Sequence, residues 1–333
     1  MSYHDVLNYL IQKTQVVELC NQLGVRIAVC PEWNGRVLTS TCDGLEGDSF
    51  GGVNVQAIDA ERFEDFGGED HWTISPLVHS FTVETIRENK AVLQRTIQMA
   101  DANGTTAEFQ LSRAISLLSR QNIGTLFGDV ITDSLERDDV SVVGFCTENT
   151  VRSQENVCVA SRLRGMFNAN PNAVIILSIP PDSFASASSL VDIDYLGGSP
   201  HGRIRHLPQT LLVRADGQRH CRITMPFSFS SSIIGAVEFR LGTLTLWTCD
   251  LPGDSEEDMV RIYNHGRSHV SESDLAAYYE MNCFSAPQEL QPDNSLTYCQ
   301  SILHLNADNT ILDDLVQQIF EVSLAEISQK MFR

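Results

Sequence analysis

Short runs that alternate apolar and polar residues, separated by turn signals, dominate this chain. Residues 80–87, 91–99 and 106–113 alternate in this way, and the sequence Asp-Ala-Asn-Gly at 101–104 marks a tight turn between the last two. An alternation of period two places successive side chains on opposite faces of a β-strand. The three runs therefore predict a meander of antiparallel strands, and this pattern constrains the fold more than any other feature of the sequence.

Runs of the same type recur along the whole chain. Further strands are predicted at residues 16–19, 25–30, 36–40, 115–118, 140–148, 157–166, 173–179, 210–214, 220–225, 233–240, 243–249, 278–284 and 296–305. Helical spacing of apolar residues is found only near the two ends, at 3–13 and at 309–324, where Asp308 or Asn309 is the expected cap. Residues 182–210, rich in Ser and Gly, predict a long irregular connection.

No internal repeat or charged linker divides the chain. Strand-like runs continue in the same style on both sides of residues 182–210, so a domain boundary there is the less favoured alternative. The sequence therefore predicts one all-β domain over residues 1–333, a large antiparallel β-sandwich with short N- and C-terminal helices.

The chain is strongly acidic, with 43 Asp and Glu residues, 23 Lys and Arg residues and a formal net charge of −20. Nucleic acids and anionic membranes are bound by positive surfaces, so neither is expected as a partner. No apolar run approaches the roughly 20 residues of a membrane-spanning helix, and the N-terminus lacks the basic start and apolar core of a signal peptide. We therefore expect a soluble, cytoplasmic protein, and the sequence does not indicate its oligomeric state.

The nine cysteines are scattered and form no Cys-x-x-Cys pair. This pattern predicts free thiols in a reducing compartment instead of a disulfide framework or a zinc site. His201, His206 and His220 have no recognisable ligand spacing, so no metal is expected. No P-loop, dinucleotide fingerprint or Gly-x-Ser-x-Gly elbow is present, and no cofactor is predicted. The arginines within 203–222 are expected to pair with acids on a solvated face, with an anionic-ligand site as the alternative.

The sequence Phe-Gly-Gly-Glu-Asp-His-Trp at 66–72 places two glycines, two carboxylates, an imidazole and an indole side by side. This mixture suits neither a strand face nor a helix stripe, so a loop is predicted. The charged groups Glu69, Asp70 and His71 are suited to bonding sugar hydroxyls, and Trp72 offers an aromatic surface to the C–H face of a ring. The alternative is a simple turn whose tryptophan covers the core.

Two later stretches also combine ionisable groups. Residues 261–266, Arg-Ile-Tyr-Asn-His-Gly, show turn chemistry and contain Asn264. In the strand predicted around Glu280, period two places Tyr278, Glu280 and Asn282 on one face, and Tyr279 and Met281 on the other. That arrangement is typical of a general base lining a pocket, although the solvent face of an edge strand has the same pattern.

Several segments together resemble a known family. They are residues 35–51 and 66–72, Gly-Met-Phe-Asn at 165–168, Tyr-Asn-His-Gly at 263–266, and the ending from Tyr-Glu at 279–280 through Ser-Ala-Pro at 285–287 to the last strand and helix. In the same order over nearly the whole chain, they resemble a bacterial family of unknown function, of the DUF6786 type. That family has a galactose-mutarotase-like fold and is distantly similar to the aldose 1-epimerases. The resemblance implies a single β-supersandwich.

The resemblance to aldose 1-epimerases also implies roles for individual residues. In those enzymes a glutamate late in the chain, followed by a proline, acts as base, and Glu280 with Pro287 downstream is similar to it. Their Gly-Gly motif is normally preceded by histidine, whereas Phe66 precedes Gly67 and Gly68 here. Their mid-chain Asn-His-x-Tyr-Phe-Asn motif, which supplies the acid, has no counterpart with histidine in this chain. His71, or a carboxylic acid at Glu69 or Asp70, is left to supply the acid.

These observations predict a carbohydrate-binding protein and, as one hypothesis, an aldose 1-epimerase-like isomerase. The catalytic residues would be Glu280 as base and His71. The predicted substrate-binding residues are Arg36, Glu69, Asp70, Trp72, Asn264 and Tyr278. The alternatives are a non-catalytic sugar-binding protein, an interaction protein in which Trp72 is buried, and a glycoside hydrolase that uses paired carboxylates.

Overall fold

The computed structural model describes residues 1–73, 79–137, 139–179, 192–195, 202–229, 233–252, 255–266 and 277–332. Only the backbone is described for Trp72, Thr73, Phe229 and residues 192–195. The expectations for the side chain of Trp72, for His201 and for most of the 182–201 connection therefore lie outside the described residues.

The described residues form strands and short helices in a long alternating order. The strands are β1 (Val17–Cys20), β2 (Arg26–Cys30), β3 (Arg36–Thr41), β4 (Gly68–Thr73), β5 (Thr82–Arg87), β6 (Lys90–Ala100), β7 (Thr106–Leu117), β8 (Ser141–Ser153), β9 (Val157–Val159), β10 (Ser161–Asn168), β11 (Ala173–Ser178), β12 (Asp192–Tyr195), β13 (Ile204–Leu207), β14 (Thr210–Arg214), β15 (Cys221–Pro226), β16 (Ile233–Glu238), β17 (Thr243–Asp250), β18 (Met259–His265), β19 (Tyr278–Phe284), β20 (Gln288–Leu290) and β21 (Leu296–Asn306). The α-helices are α1 (Tyr3–Ile11), α2 (Val55–Asp59), α3 (Arg120–Phe127), α4 (Asp129–Ser134), α5 (Asn309–Phe320) and α6 (Leu324–Phe332). Two 3-10 helices span Phe63–Asp65 and Phe227–Phe229.

Two large sheets contain nearly all of these strands. One has nine strands in the order β1-β2-β3-β4-β10-β19-β18-β15-β12. The other has ten strands in the order β13-β14-β11-β16-β17-β21-β8-β7-β6-β5. The pairings within both are antiparallel, for example β10 with β19 and β17 with β21. The prediction of a large antiparallel all-β architecture is confirmed, while the single domain over residues 1–333 stays a prediction.

The main core lies between the two sheets. It contains Phe109 and Ile302 from the ten-stranded sheet and Leu163 and Met281 from the nine-stranded sheet, all nearly or fully buried. Burying one such side chain stabilises the fold by about 1.5–3 kcal/mol. This core follows from the period-two alternation, because each strand presents its apolar set to the opposite sheet.

Helices cover parts of the outer faces of both sheets. Helices α3 to α6 pack on the ten-stranded sheet, where Leu315 and Phe320 join the core around Leu246. Helices α1 and α2 pack on the nine-stranded sheet through a third cluster that includes Leu10 and Leu38. Beyond this cluster, the outward positions of β10, β19 and β18 carry many polar side chains, such as Arg164, Asn282 and Tyr263.

The helix predictions were partly wrong. Helices α2, α3 and α4 lie inside the chain, and the capping box of Ser119 with Asn122 was the sequence signal for α3. The C-terminal helix predicted over 309–324 ends at Phe320, because Glu321 adopts a left-handed φ of 57°, and a separate helix, α6, begins at Leu324. The predicted cap at Asp308 is confirmed, since its side chain accepts bonds from the amides of Thr310 and Ile311. Part of the connection predicted as irregular forms β12 and β13.

The loop predicted at 66–72 is also wrong from Gly68 onward. Residues 68–73 form β4, which lies inside the nine-stranded sheet between β3 and β10. The two glycines have positive φ values of 93° and 77°, and a Cβ on Gly68 would overlap the carbonyl oxygen of Val37. The chain thus needs glycine to enter the strand close to its neighbour. The stretch 261–266, also interpreted through turn chemistry, lies in β18 (Met259–His265) up to His265.

Candidate functional site

Strands β4, β10, β19 and β18 are neighbours in the nine-stranded sheet, and their outward side chains form what we call the polar face. It is defined by Asp70, Arg162, Arg164, Glu280, Asn282, Tyr263, His265 and Tyr278. Directly paired residues of an antiparallel sheet share a face. Asp70 pairs with Arg164, and Arg164 pairs with Asn282, so the register alone brings this set together.

Glu280 lies at the centre of the polar face and is only 4% exposed. Its Oε1 accepts a hydrogen bond from Nη1 of Arg164 at 3.0 Å. Its Oε2 accepts from Nη2 of Arg162 at 2.8 Å and from Nδ2 of Asn282 at 3.2 Å. Two charge-assisted bonds to rigid guanidinium groups fix the carboxylate in one orientation. The predicted face shared by Tyr278, Glu280 and Asn282 is confirmed, with Tyr279 and Met281 in the core on the other side.

Asp70 is the second carboxylate of the polar face. Its Oδ2 accepts from Nη2 of Arg36 at 2.7 Å and from Nη2 of Arg164 at 3.0 Å. Burial alone would raise the pKa of Asp70, but Arg36, Arg164 and Arg113 together hold it well below its usual value. Burial lowers the pKa of Arg36 to about 10, which leaves it charged at neutral pH. Asp70 is therefore permanently ionised and is unsuited to donate a proton.

Tyr263 is the cross-strand neighbour of Glu280 and links two histidines. Its hydroxyl lies 3.0 Å from Nδ1 of His220 and 3.2 Å from Nδ1 of His265. Burial, with a smaller contribution from Glu280, raises the pKa of Tyr263 to about 12, so it stays protonated. The ring of His265 stacks on Tyr278 with centroids 4.6 Å apart. Tyr278 in turn donates to Oδ1 of Asp65 at 3.0 Å.

Glu69 and His71 point away from the polar face, into the core between the sheets. Glu69 accepts hydrogen bonds from Arg113, Gln300 and Thr147, the last at 2.8 Å. Nε2 of His71 lies 2.6 Å from Oγ of Ser161. Burial, reinforced by Arg113, lowers the pKa of His71 well below its usual value. The strand alternation thus separates Glu69 and His71 from Glu280, so the structure does not bring them together as sequence analysis expected.

Asn264 also lies on the core side of its strand. Its Nδ2 donates to the carbonyl of Arg219 at 2.8 Å, and its Oδ1 accepts from the amide of Gly217 at 3.3 Å. These bonds hold the turn before β15, and Asn264 is fully buried. Of the predicted site residues, the structure therefore brings together Arg36, Asp70, Tyr278 and Glu280.

Sequence analysis missed the two arginines that hold Glu280. Arg162 and Arg164 are two residues apart on β10, so both face the same side, as Glu280 and Asn282 do on β19. The spacing was visible in the sequence, but the pairing of β10 with β19 joins segments more than one hundred residues apart. Sequence analysis assigned no role to His220 beyond excluding a metal site, and its contact with Tyr263 depends on the pairing of β15 with β18.

Two cavities are lined by residues outside the polar face. One of about 650 Å³ lies on the outer face of the ten-stranded sheet, among β5, β6, β7 and β8, whereas Glu280 belongs to the nine-stranded sheet. A smaller one, of about 440 Å³, borders Arg36 through Phe63. The described residues contain no cluster of three potential metal ligands. Within the same part of the chain, none of the helices is long and apolar enough to cross a membrane.

All nine cysteines lie among the described residues and are free thiols, as predicted. Within the arginine cluster, Arg203 and Arg214 both pair with the buried carboxylate of Asp216. The acid partner agrees with the expectation, but the solvated face does not, because Arg203 and Asp216 are both buried.

Solved structures define the fold class. A candidate aldose 1-epimerase from Escherichia coli K12 superposes with a TM-score of 0.55 at 9% identity, covering 88% of this chain and 99% of that one. The Slr1438 protein from Synechocystis sp. PCC 6803 gives a TM-score of 0.53 at 12% identity, with 89% and 96% covered. At such identities the likeness concerns the fold, which is the galactose-mutarotase-like β-supersandwich that sequence analysis expected.

The family follows from the sequence match. Residues 1–83 and 77–331 match the family of unknown function DUF6786, and the chain belongs to that family. No curated protein sequence matches the chain.

Proposed function

We propose that this protein binds a carbohydrate on the polar face and interconverts its anomers, with Glu280 as the base. The observation that carries the proposal is the position of Glu280, held between Arg162 and Arg164 and adjacent to Tyr263 and its two histidines. The fold shared with a candidate aldose 1-epimerase supports the same reaction class.

Anomer interconversion opens and recloses a sugar ring. A base takes the proton from the O1 hydroxyl while an acid protonates the ring oxygen, and each group contributes about 10²–10⁴-fold. An ionised carboxylate offers roughly four lone-pair sites. Arg162, Arg164 and Asn282 contact Glu280 with one donor each, which leaves acceptor capacity for an O1 hydroxyl.

The acid in this proposal is the pair His220 and His265 instead of His71. A hydroxyl carries one proton, so Tyr263 can donate to one of the two Nδ1 atoms only. With both contacts made as hydrogen bonds, the other Nδ1 carries a hydrogen and donates it to Tyr263. Both histidines contact Tyr263, the neighbour of Glu280, whereas His71 faces the other side of its sheet, and imidazole is the side chain most often used in acid–base catalysis.

The arginines are proposed to serve the carbohydrate and the base in different ways. Arg162 keeps 18% of its side chain exposed and is placed to meet sugar hydroxyls. Arg36 is fully buried and acts through Asp70, whose carboxylate fixes Arg164. Planar guanidinium groups suit hydroxyl and carboxylate recognition because their donors lie in a fixed fork.

A second candidate function is sugar binding without turnover. Both carboxylate oxygens of Glu280 already accept bonds from arginines, which is the arrangement expected if Glu280 only orients Arg162 and Arg164. In that case the same face binds saccharides and the rate of anomer exchange in solution is unchanged.

Magnetisation exchange between the α and β anomers of glucose and galactose, followed by NMR, separates the two candidates. We expect the wild-type protein to accelerate exchange and Glu280→Gln to lose at least about 10²-fold of that acceleration. Glu280→Asp keeps the charge that Arg162 and Arg164 require but withdraws the oxygens, and it should also lose activity while remaining folded by circular dichroism. Glu289→Gln, at an exposed position, is the matched control.

Equal acceleration by wild type and Glu280→Gln would overturn the assignment of Glu280 as base. Saccharide binding by the wild type without accelerated exchange would establish the second candidate instead.

A further inference from the structure

A cavity beside the polar face has the composition of a ligand site. It is enclosed by the end of α1, the turn before β3, and the segment from α2 to the following 3-10 helix. Its lining residues are Lys13, Trp33, Ile58, Asp59, Glu61, Phe63 and Phe66. Its volume of about 440 Å³ falls in the range of about 300–1,000 Å³ that small-molecule sites occupy.

Aromatic rings form the inner walls of this cavity. The ring of Phe66 is buried and meets Trp33 edge-on at 4.8 Å and Phe63 edge-on at 5.2 Å. Trp33 and Phe63 are both half-buried, so each keeps part of its ring accessible. Large flat rings with fixed orientations give a ligand apolar contact at little cost in side-chain entropy. The C–H face of a pyranose is a surface of this kind.

Charged groups of both signs form the rim. Nζ of Lys13 lies 2.8 Å from Oδ1 of Asp59, and the same oxygen accepts from the hydroxyl of Tyr9 at 2.9 Å. Glu61 is exposed at the edge of the cavity. A hydroxyl both donates and accepts, so it can use a carboxylate and an ammonium group alike. A purely apolar ligand would form no hydrogen bonds with these groups. A charged ligand would be repelled by the rim groups of its own sign, so groups of both signs favour a neutral polar ligand.

A single 3-10 helix separates the cavity from the polar face. Phe63 lines the cavity on one side and stacks on Arg36 on the other, with the guanidinium carbon 4.2 Å from the ring centroid. Arg36 bonds Asp70 on the polar face. Asp65, two residues after Phe63, accepts from the hydroxyl of Tyr278, which lies on the strand of Glu280. The cavity is therefore linked to the polar face by two contacts, through Arg36 to Asp70 and through Asp65 to Tyr278.

We infer that this cavity is a second saccharide subsite, which takes the sugar unit next to the one held at Glu280. The inference rests on the proposed function, and it makes the ligand class a disaccharide or longer saccharide whose reducing end lies on the polar face. Trp33 and Phe63 provide the stacking surface, and Glu61 and the Lys13–Asp59 pair bind hydroxyls.

Affinities for lactose and maltose, compared with those for galactose and glucose, test the subsite. We expect each disaccharide to bind the wild type at least about tenfold more tightly than its monosaccharides. Trp33→Ala and Glu61→Gln should bring this ratio down toward one. Glu61→Gln is a surface change that does not threaten the fold, and Glu64→Gln, an exposed residue of the same segment that does not line the cavity, should keep the ratio.

The outcomes separate the subsite from the proposed function. Disaccharides that bind no more tightly than monosaccharides, in a protein that accelerates anomer exchange through Glu280, would overturn the subsite and leave the polar face in place. Disaccharide binding that depends on Trp33, in a protein that does not accelerate anomer exchange, would support saccharide binding in the cavity and overturn the role of Glu280 as base. No binding of any of the four sugars would overturn both.

Discussion

Arg164 and Glu280 form a buried ion pair across neighbouring strands, with Nη1 of the arginine 3.0 Å from Oε1 of the glutamate. Nη2 of the same guanidinium bonds Asp70 at 3.0 Å, so one arginine joins both carboxylates of the polar face. Burial alone would lower the pKa of Arg164, yet Glu280 and Asp70 raise it above its usual value. The arginine is therefore the fixed point to which both acids are attached.

Replacing Arg164 by Met should destabilise the protein strongly. The change leaves two buried carboxylates without one of their partners, and removing one member of a buried ion pair costs about 3–5 kcal/mol. The free energy of unfolding from urea titration measures the effect. Arg152→Met, on an exposed arginine, should stay within about 0.5 kcal/mol of wild type. A similar small change for Arg164→Met would show that the pair does not hold the sheet together.

Glu69→Gln should separate stability from ligand binding. Glu69 faces the core, where it is the ionic partner of the buried Arg113, so losing its charge should cost about 3–5 kcal/mol. Because the side chain lies on the side away from Glu280, saccharide affinity of the folded fraction should be unaffected. Calorimetric titration at low temperature measures that affinity, with Glu46→Gln as the exposed control. A selective loss of saccharide affinity in Glu69→Gln would return Glu69 to the binding site.

Buried histidines should make the protein less stable in mild acid. Burial lowers the pKa of His304 to about 3 and that of His71 well below its usual value, while both titrate near about 6.5 in the unfolded chain. Between these two pKa values the unfolded state binds more protons than the folded state. The free energy of unfolding therefore has its full value above about pH 6.5 and falls as the pH falls toward the pKa of the folded state. Each histidine adds a slope of up to about 1.4 kcal/mol per pH unit. The depressed pKa of Asp70 affects the free energy of unfolding only below about pH 3.9, where the same carboxyl in the unfolded chain takes up a proton.

Urea midpoints measured near about pH 7 and near about pH 5 check this dependence. His304→Asn should reduce the difference between the two midpoints, because asparagine does not titrate. An identical difference in wild type and in His304→Asn would contradict a neutral, buried His304.

Much of the fold was predictable because the alternation of each strand depends on neighbouring residues alone. The shared face of Tyr278, Glu280 and Asn282 followed from period two in the same way. Strand β4 was not predictable because both of its faces are polar: Asp70 meets arginines outside, and Glu69 meets Arg113 inside. A charged strand interior is stable only with such partners, and they come from distant strands.

The site shows the same division between local and distant information. Glu280 was identified from its own strand and from the family resemblance. Its arginines and the Tyr263 group depend on the register of β10, β19, β18 and β15, which the sequence of one chain does not reveal. His71 was predicted to act with Glu280 because the mid-chain histidine of the aldose 1-epimerases has no counterpart in this chain. It follows Asp70 directly on β4, however, and successive residues of a strand face opposite sides, so His71 faces away from Glu280.

A crystal structure of Glu280→Gln soaked with galactose or lactose tests the central claim most directly. The account predicts a sugar on the polar face with its O1 within about 2.6–3.2 Å of the side-chain amide at position 280 and its ring near Tyr263. For lactose, the second ring should lie against Trp33 and Phe63. A sugar bound instead in the cavity of the ten-stranded sheet, with the polar face empty, would contradict the account.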